Sequence, residues 1–125
     1  MQLSNLISVQ VNSNFIEQRE ADNQTLYVFG YHITIVNNSN EPVQLLRRHW
    51  LITDSDGNQS EVEGEGVVGL QPTIEANGEF QYSSGSTFKT QVGTMQGKFM
   101  MVDATGQPFD VAIEPFLLAD STMIH

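Results

Sequence analysis

Cysteine is missing from this chain of 125 residues. Disulfide staples, thiolate zinc sites and cysteine nucleophiles are excluded with it, and a reducing compartment fits that composition. Positive charge is scarce: five Lys and Arg face fifteen Asp and Glu, a formal net charge of −10. Affinity for nucleic acid rests on Lys and Arg neutralising phosphates, so neither a nucleic-acid partner nor an anionic membrane surface is expected. Metal ions and basic patches on other proteins are electrostatically easier partners. No apolar run approaches the roughly 20 residues of a spanning helix, so no membrane insertion is expected. The opening Met1-Gln2-Leu3-Ser4-Asn5-Leu6 lacks a basic region followed by an apolar one, and a cytoplasmic location is expected. A sustained helical period of apolar residues is absent from every window.

What is present alternates. Ile7, Val9 and Val11 point one way against Ser8, Gln10 and Asn12, the period of a half-buried strand that Phe15 and Ile16 extend. Arg19 to Thr25 is polar and contains Asp22 and Asn23, which predicts a loop. Tyr27, Phe29, Tyr31, Ile33 and Ile35 occupy every second position of the next stretch, aromatic and β-branched residues suited to a pleated, half-buried surface. Asn37 to Pro42 stops that strand. Val43 to Asp54 is a third, with Leu46, Arg48, the single tryptophan Trp50 and Ile52 on one face. Leu45, Arg47, His49, Leu51 and Thr53 are assigned to the other. Asp56-Gly57 is a hairpin signal. Phe80 to Ser84 forms a strand ending at Gly85, Gly93 to Asp103 another, and Phe109 to Glu114 a last one ended by Pro115, with a loose tail to His125. About seven short strands with regular turn signals predict an all-β antiparallel sandwich of the immunoglobulin or fibronectin type III kind over residues 1–125, with Trp50 between the sheets.

Three stretches carry candidate chemistry. Gly64-Glu65-Gly66-Val67-Val68-Gly69 reads as GxGxxG, and Gly64, Gly66 and Gly69 are the candidate cofactor-binding residues. A phosphate-binding loop, however, follows a buried strand and opens a helix, whereas Pro72 interrupts any helix here and Glu63 and Glu65 repel phosphate. Glycines shaping tight turns between strands are the competing account. Asp54 to Glu65 resembles a twelve-residue calcium loop, with oxygen ligands at positions one, three, five and twelve but Gln59 where glycine is required. A hairpin turn explains Asp56-Gly57 without an ion. The acids nevertheless leave Asp54, Asp56, Glu61 and Glu65, with His49, as candidate ligands for Mg²⁺ or Co²⁺. His32 and His49 are placed on outward faces of adjacent predicted strands, able to approach each other, with no third ligand to close a site. No catalytic set is expected: no serine–histidine–acid group assembles from sequence order, and no hydrolase elbow is present. The tripeptides beginning at Asn23, Asn37 and Asn58 match a glycosylation pattern by chance.

Taken in order, Tyr31-His32-Ile33-Thr34-Ile35-Val36-Asn37-Asn38, Arg48-His49-Trp50-Leu51-Ile52-Thr53-Asp54, Gly64-Glu65-Gly66-Val67-Val68-Gly69 and Gly93-Thr94-Met95-Gln96-Gly97 resemble the ApaG family across nearly the whole chain. The resemblance is to the small bacterial ApaG proteins and to the ApaG domains attached to some eukaryotic F-box and polymerase-associated proteins. It implies a fibronectin type III-like sandwich and an association with cobalt resistance and magnesium efflux. Where family members often carry threonine, this chain has His32, so the resemblance assigns that residue no role. The expectation is a non-enzymatic module that recognises an unidentified protein through a sheet face or the loops around Trp50 and Gly64 to Gly69. Direct weak binding of Mg²⁺ or Co²⁺ is the alternative. Nucleotide or pyrophosphate binding at the glycine loop is the third reading. No resident cofactor is expected.

Overall fold

Alternation sorts the strands into two layers, and the layers meet on their apolar faces. A computed structural model describes residues 2–120. After one short 3₁₀ turn, Leu3–Leu6, the chain forms β1 (Ile7–Ala21), β2 (Gln24–Asn37), β3 (Val43–Asp54), β4 (Gln59–Glu65), β5 (Thr73–Ile74), β6 (Glu79–Phe88), β7 (Val92–Val102) and β8 (Pro108–Ala119). All the pairings are antiparallel. One sheet has the order β1-β2-β6; the other has β4-β3-β7-β8, with β5 also on β3. Eight strands in two facing sheets bear out the sandwich, one short strand more than expected. The core is the alternating set: Phe29, Ile33 and Ile35 of β2 meet Phe99 and Met101 of β7 and Ile113 and Leu118 of β8, all buried. Trp50 is buried between the layers, its ring edge-on to Tyr31 at 5.6 Å and to Phe116 at 5.9 Å.

Where the strand assignments need correction, a bulge or a turn is the cause. Arg19 to Thr25 is not a loop: β1 and β2 pair down to Ala21↔Gln24, leaving Asp22 and Asn23 as a two-residue turn with φ of 51° and 64°. Two positive φ values give the turn whose twist matches a hairpin, and Asp and Asn tolerate that conformation. Leu45 does not face outward. A register shift between Leu45 and Arg47 makes Leu46 the extra residue, so Val43 and Leu45 are buried before the bulge and Trp50 after it. One inserted residue exchanges the two faces of a strand. The strand at Phe80 continues past Gly85 to Phe88. A Cβ on Gly85 would stand 2.9 Å from the Phe29 carbonyl oxygen, so glycine there permits close approach to β2 instead of ending the strand. Likewise Pro115 does not end β8. It sits in the irregularity opposite Gln96, on an edge strand where its missing N–H costs no ladder bond. The tail from residue 121 onward lies outside the described residues.

Two buried polar residues, Asn37 and Ser39, sit together at one end of the sandwich, and their side chains are hydrogen-bonded. Asn37 Nδ2 donates to the carbonyls of Glu41, Ile74 and Glu75 at 2.8, 3.0 and 3.2 Å, and its Oδ1 accepts from the Ser39 N–H and hydroxyl. This amide is fully engaged in tying β2 to the turns around it, which accounts for asparagine at the end of the strand.

Candidate functional site

The side of β3 away from β7 carries two partners in succession, β5 at Val43 and Gln44 and β4 from Arg47 to Thr53. The chain must leave this edge between them, and it does so at the Leu46 bulge. Gly66 N–H donates to the Leu46 carbonyl at 2.8 Å, Gln71 Nε2 donates to the same oxygen at 3.0 Å, and Leu45 N–H donates to Pro72 O at 3.0 Å. Residues 66–72 are therefore an excursion clamped at both ends to the bulged strand. Inside it, Val67 and Leu70 exchange backbone hydrogen bonds of 2.8 and 2.9 Å, and Val68 and Gly69 turn between them with φ of 44° and 82°.

Each glycine of the motif has a separate steric reason. A Cβ on Gly66, at φ +67°, would lie 2.3 Å from the Leu70 carbonyl oxygen. A Cβ on Gly64 would meet the Arg48 guanidinium at 2.9 Å. Gly69 has open space around it but φ of +82°. Arg48 uses the room above Gly64 to donate through Nη1 to the carbonyls of Gly66 at 2.8 Å and Glu65 at 3.2 Å. It points inward as expected, and it pins the stem of the turn by backbone bonds, with no acid in the contact. The turn opens no helix: β5 follows directly. Its tip presents Val68, 58% exposed, and Leu70, 53% exposed, next in sequence to a β4 whose Val62 is 41% exposed.

The candidate metal ligands are spread along the β3–β4 hairpin. Asp54 Oδ1 accepts from the N–H groups of Asp56 and Asn58 at 2.9 and 3.0 Å, holding the turn at Gly57. Asp56 stands exposed in that turn. Glu65 is at the opposite end of the hairpin, facing Arg47 at 3.8 Å. The seven residues of β4, Gln59 to Glu65, separate the two ends by about 20 Å, beyond the reach of one ion. Glu61 Oε2 lies 3.7 Å from His49 Nε2 on the outer face. Among the described residues, no three His, Asp or Glu side chains converge as a ligand set. His32 and His49 do not approach each other: β2 and β3 belong to different sheets, so the two rings project from opposite outer faces. His125 lies outside the described residues.

The fold also joins residues that sequence order kept apart. His32 Nδ1 is 2.8 Å from Ser83 Oγ, its Nε2 is 2.9 Å from Gln81 Oε1, and Gln81 Nε2 donates to Glu79. No serine–histidine–acid set was expected, and the one the register assembles has an amide where a triad has a carboxylate. Only the pairing of Ser83 with His32 across β2 and β6 reveals it. Between β6 and β4 the sandwich is open, with a cleft of about 230 Å³ walled by Trp50, Ile52, Val62, Ser84, Ser86 and Arg48. Tyr82 is buried beside it with no hydrogen-bond partner for its hydroxyl in the protein. Burial pushes that hydroxyl well above the usual tyrosine range, Tyr31 adds to the shift, and Arg48 opposes it. Asp103, in the β7–β8 turn, is held below the usual carboxylate range by the Gln107 N–H and the Thr105 hydroxyl.

Comparison with known proteins gives one consistent picture. Residues 17–103 match the family model described as the ApaG domain. The chain is 52% identical to Protein ApaG of Vibrio cholerae over 113 residues, 90% of each chain. It is 48% identical to Protein ApaG of Escherichia coli over 119 residues, 95% of each chain. A crystal structure of a structural-genomics target superposes with a TM-score of 0.96 at 43% identity, covering 99% of this chain and 94% of that one. The crystal structure of a Bordetella pertussis protein described as ApaA superposes at 0.84 and 40% identity, covering 90% and 92%.

Proposed function

The chain belongs to the ApaG domain family, and from that premise we propose that it is a non-enzymatic protein-interaction module whose contact surface is the glycine turn and the adjoining edge strand β4. The observation that carries this reading is the turn's tip: Val68 and Leu70 expose apolar side chains on a backbone clamped at Leu46 and Arg48. A β-branched residue at φ +44° is costly, and strain of this kind persists where the surrounding structure holds a side chain in place for use. Around the tip, Glu61, Glu63 and Glu65 alternate along the outer face of β4. The partner that fits is an apolar notch rimmed by basic residues. In this reading the association with cobalt resistance and magnesium efflux runs through that partner and not through an ion held by Asp54, Asp56, Glu61, Glu65 or His49. No particular observation favours direct metal binding or nucleotide binding at Gly64, Gly66 and Gly69.

The test is affinity capture from bacterial lysate with the wild-type chain and with Leu70→Ser, each in magnesium and in chelator. A protein held by the wild type, lost with Leu70→Ser and indifferent to chelator is the expected result. Turnover of phosphoesters or nucleotides by the purified chain, or equal capture by both forms, would overturn the proposal.

A further inference from the structure

Both sheets end in free strands, and the four edges are not treated alike. β1 and β8 lie against each other, joined by the Ser13 hydroxyl donating to Leu117 O at 2.8 Å, and each is broken by a register shift. β4 carries three glutamates in seven residues. Charges, bulges and prolines are how edges are kept from pairing with foreign strands. β6 has none of them along its central run Ser83-Ser84-Gly85-Ser86-Thr87, and it pairs with β2 through ten residues without a shift.

We propose that the free edge of β6, with the cleft beneath it, receives an extended peptide segment as an added strand, one whose inward side chains combine an apolar residue with a carboxylate. The ladder shows which backbone groups are available. Asn37 N–H donates to Gly78 O at 2.9 Å, so in the alternating antiparallel pattern Phe80, Tyr82, Ser84, Ser86 and Phe88 bond to β2. Gln81, Ser83, Gly85 and Thr87 therefore direct their N–H and C=O groups outward, a template for a segment of about seven residues. The His32 bonds to Ser83 and Gln81 clamp the outer face of this strand before any ligand arrives, which lowers the ordering cost of binding.

The cleft supplies selection. Every second side chain of an added strand would enter the gap between β6 and β4, where Trp50, Ile52 and Val62 give an apolar wall. Arg48 borders this cleft, and Lys89 borders its neighbour beyond Phe88. These are two of the five cations in the chain, and among the described residues neither makes an ion pair with any of the fifteen acids. Arg48 gives hydrogen bonds to the Gly66 and Glu65 carbonyls but its charge meets no acid, and Lys89 meets none at the adjoining cleft; two cations without carboxylate partners in so acidic a protein favour a carboxylate-bearing segment along this edge. The glycine turn, by contrast, offers an acidic rim to a basic partner, so the two surfaces select opposite charge.

Full-length chain would be panned against random dodecapeptides displayed on phage, and amide exchange followed by NMR with the recovered peptides. Expected are peptides that place Asp or Glu an even number of residues from a large apolar residue. They should slow exchange at Gln81, Ser83, Gly85 and Thr87 at least tenfold while leaving the amides already bonded to β2 unchanged. Thr87→Pro removes an outward N–H without breaking the β2 ladder and should weaken these peptides at least tenfold; the exchange pattern serves as the readout if that variant does not fold. Recovery of no peptide, or of peptides that leave those four amides unprotected, would overturn the proposal. Peptides lost with Leu70→Ser and kept by Thr87→Pro would overturn it while leaving the glycine-turn reading intact. Protection of the same amides without peptide, rising with protein concentration, would assign the edge to a second copy of the chain and overturn the peptide as occupant.

Discussion

Replacing Val68 by asparagine tests whether the tip of the glycine turn stores strain. Val68 has φ of +44°, a left-handed conformation that costs a non-glycine residue about 1–2 kcal/mol, and asparagine is among the residues that adopt it readily. The change also forfeits apolar burial, but Val68 is 58% exposed. Complete burial of a valine is worth about 1.5–2 kcal/mol, so the buried remainder contributes less than about 0.8 kcal/mol. The difference favours Val68→Asn by about 0.5–1 kcal/mol, or roughly 2–4 °C in Tm for a chain of this size. Urea unfolding reads it directly, as a higher midpoint at unchanged slope. Val68→Ala is the control: it keeps a Cβ, relieves little, loses apolar contact and should fall slightly below wild type. If the strain serves recognition, the more stable Val68→Asn should capture less partner, a trade seen where function needs a costly conformation. A variant destabilised by 1 kcal/mol or more would refute the reasoning, because it would show that the valine anchors the turn.

Gly66→Ala should cost about 2–4 kcal/mol, a left-handed backbone plus a collision with the Leu70 carbonyl at 2.3 Å, whereas Gly69→Ala, in open space, should cost about 1 kcal/mol; equal losses by chemical denaturation would remove the steric account of the motif. Tyr82→Phe should leave stability unchanged or raise it by about 1 kcal/mol near neutral pH, since it deletes a buried hydroxyl without a protein partner; a clear loss would reveal an unrecognised bond. Its pH dependence has a sign. The folded pKa lies above the unfolded value, so wild-type stability is complete below the ordinary tyrosine range and declines as pH rises through it, and Tyr82→Phe should flatten that alkaline limb. Asp103 behaves oppositely. Its folded pKa is depressed, so its contribution is complete above the ordinary carboxylate range and is lost as pH falls through the folded value; Asp103→Asn should reduce the acid sensitivity of the unfolding midpoint.

The alternation of Tyr27 to Ile35 predicted β2 and its buried face because side chains on a strand alternate whatever surrounds them. Asp56-Gly57 predicted the hairpin turn for an equally local reason, a glycine at φ +86°. The errors were local readings overruled by pairing. Asp22 and Asn23 are polar enough to suggest a seven-residue loop, yet two residues suffice when their neighbours find partners. Strict alternation from Trp50 puts Leu45 toward solvent, and the bulge at Leu46 reverses it.

By itself, then, the sequence determined the periodic part of this protein: strands, turn chemistry, the buried tryptophan, the scarcity of positive charge and the family blocks that carry the resemblance. Each depends on a residue and its near neighbours. Only the tertiary structure decided which strand lies beside which. That placed His32 and His49 on opposite faces, brought Ser83 to His32, stretched the acids of the β3–β4 hairpin beyond the reach of one ion, and left β6 as an unguarded edge. Such facts depend on register and sheet order, where one inserted residue exchanges inside for outside and no local pattern records the partner.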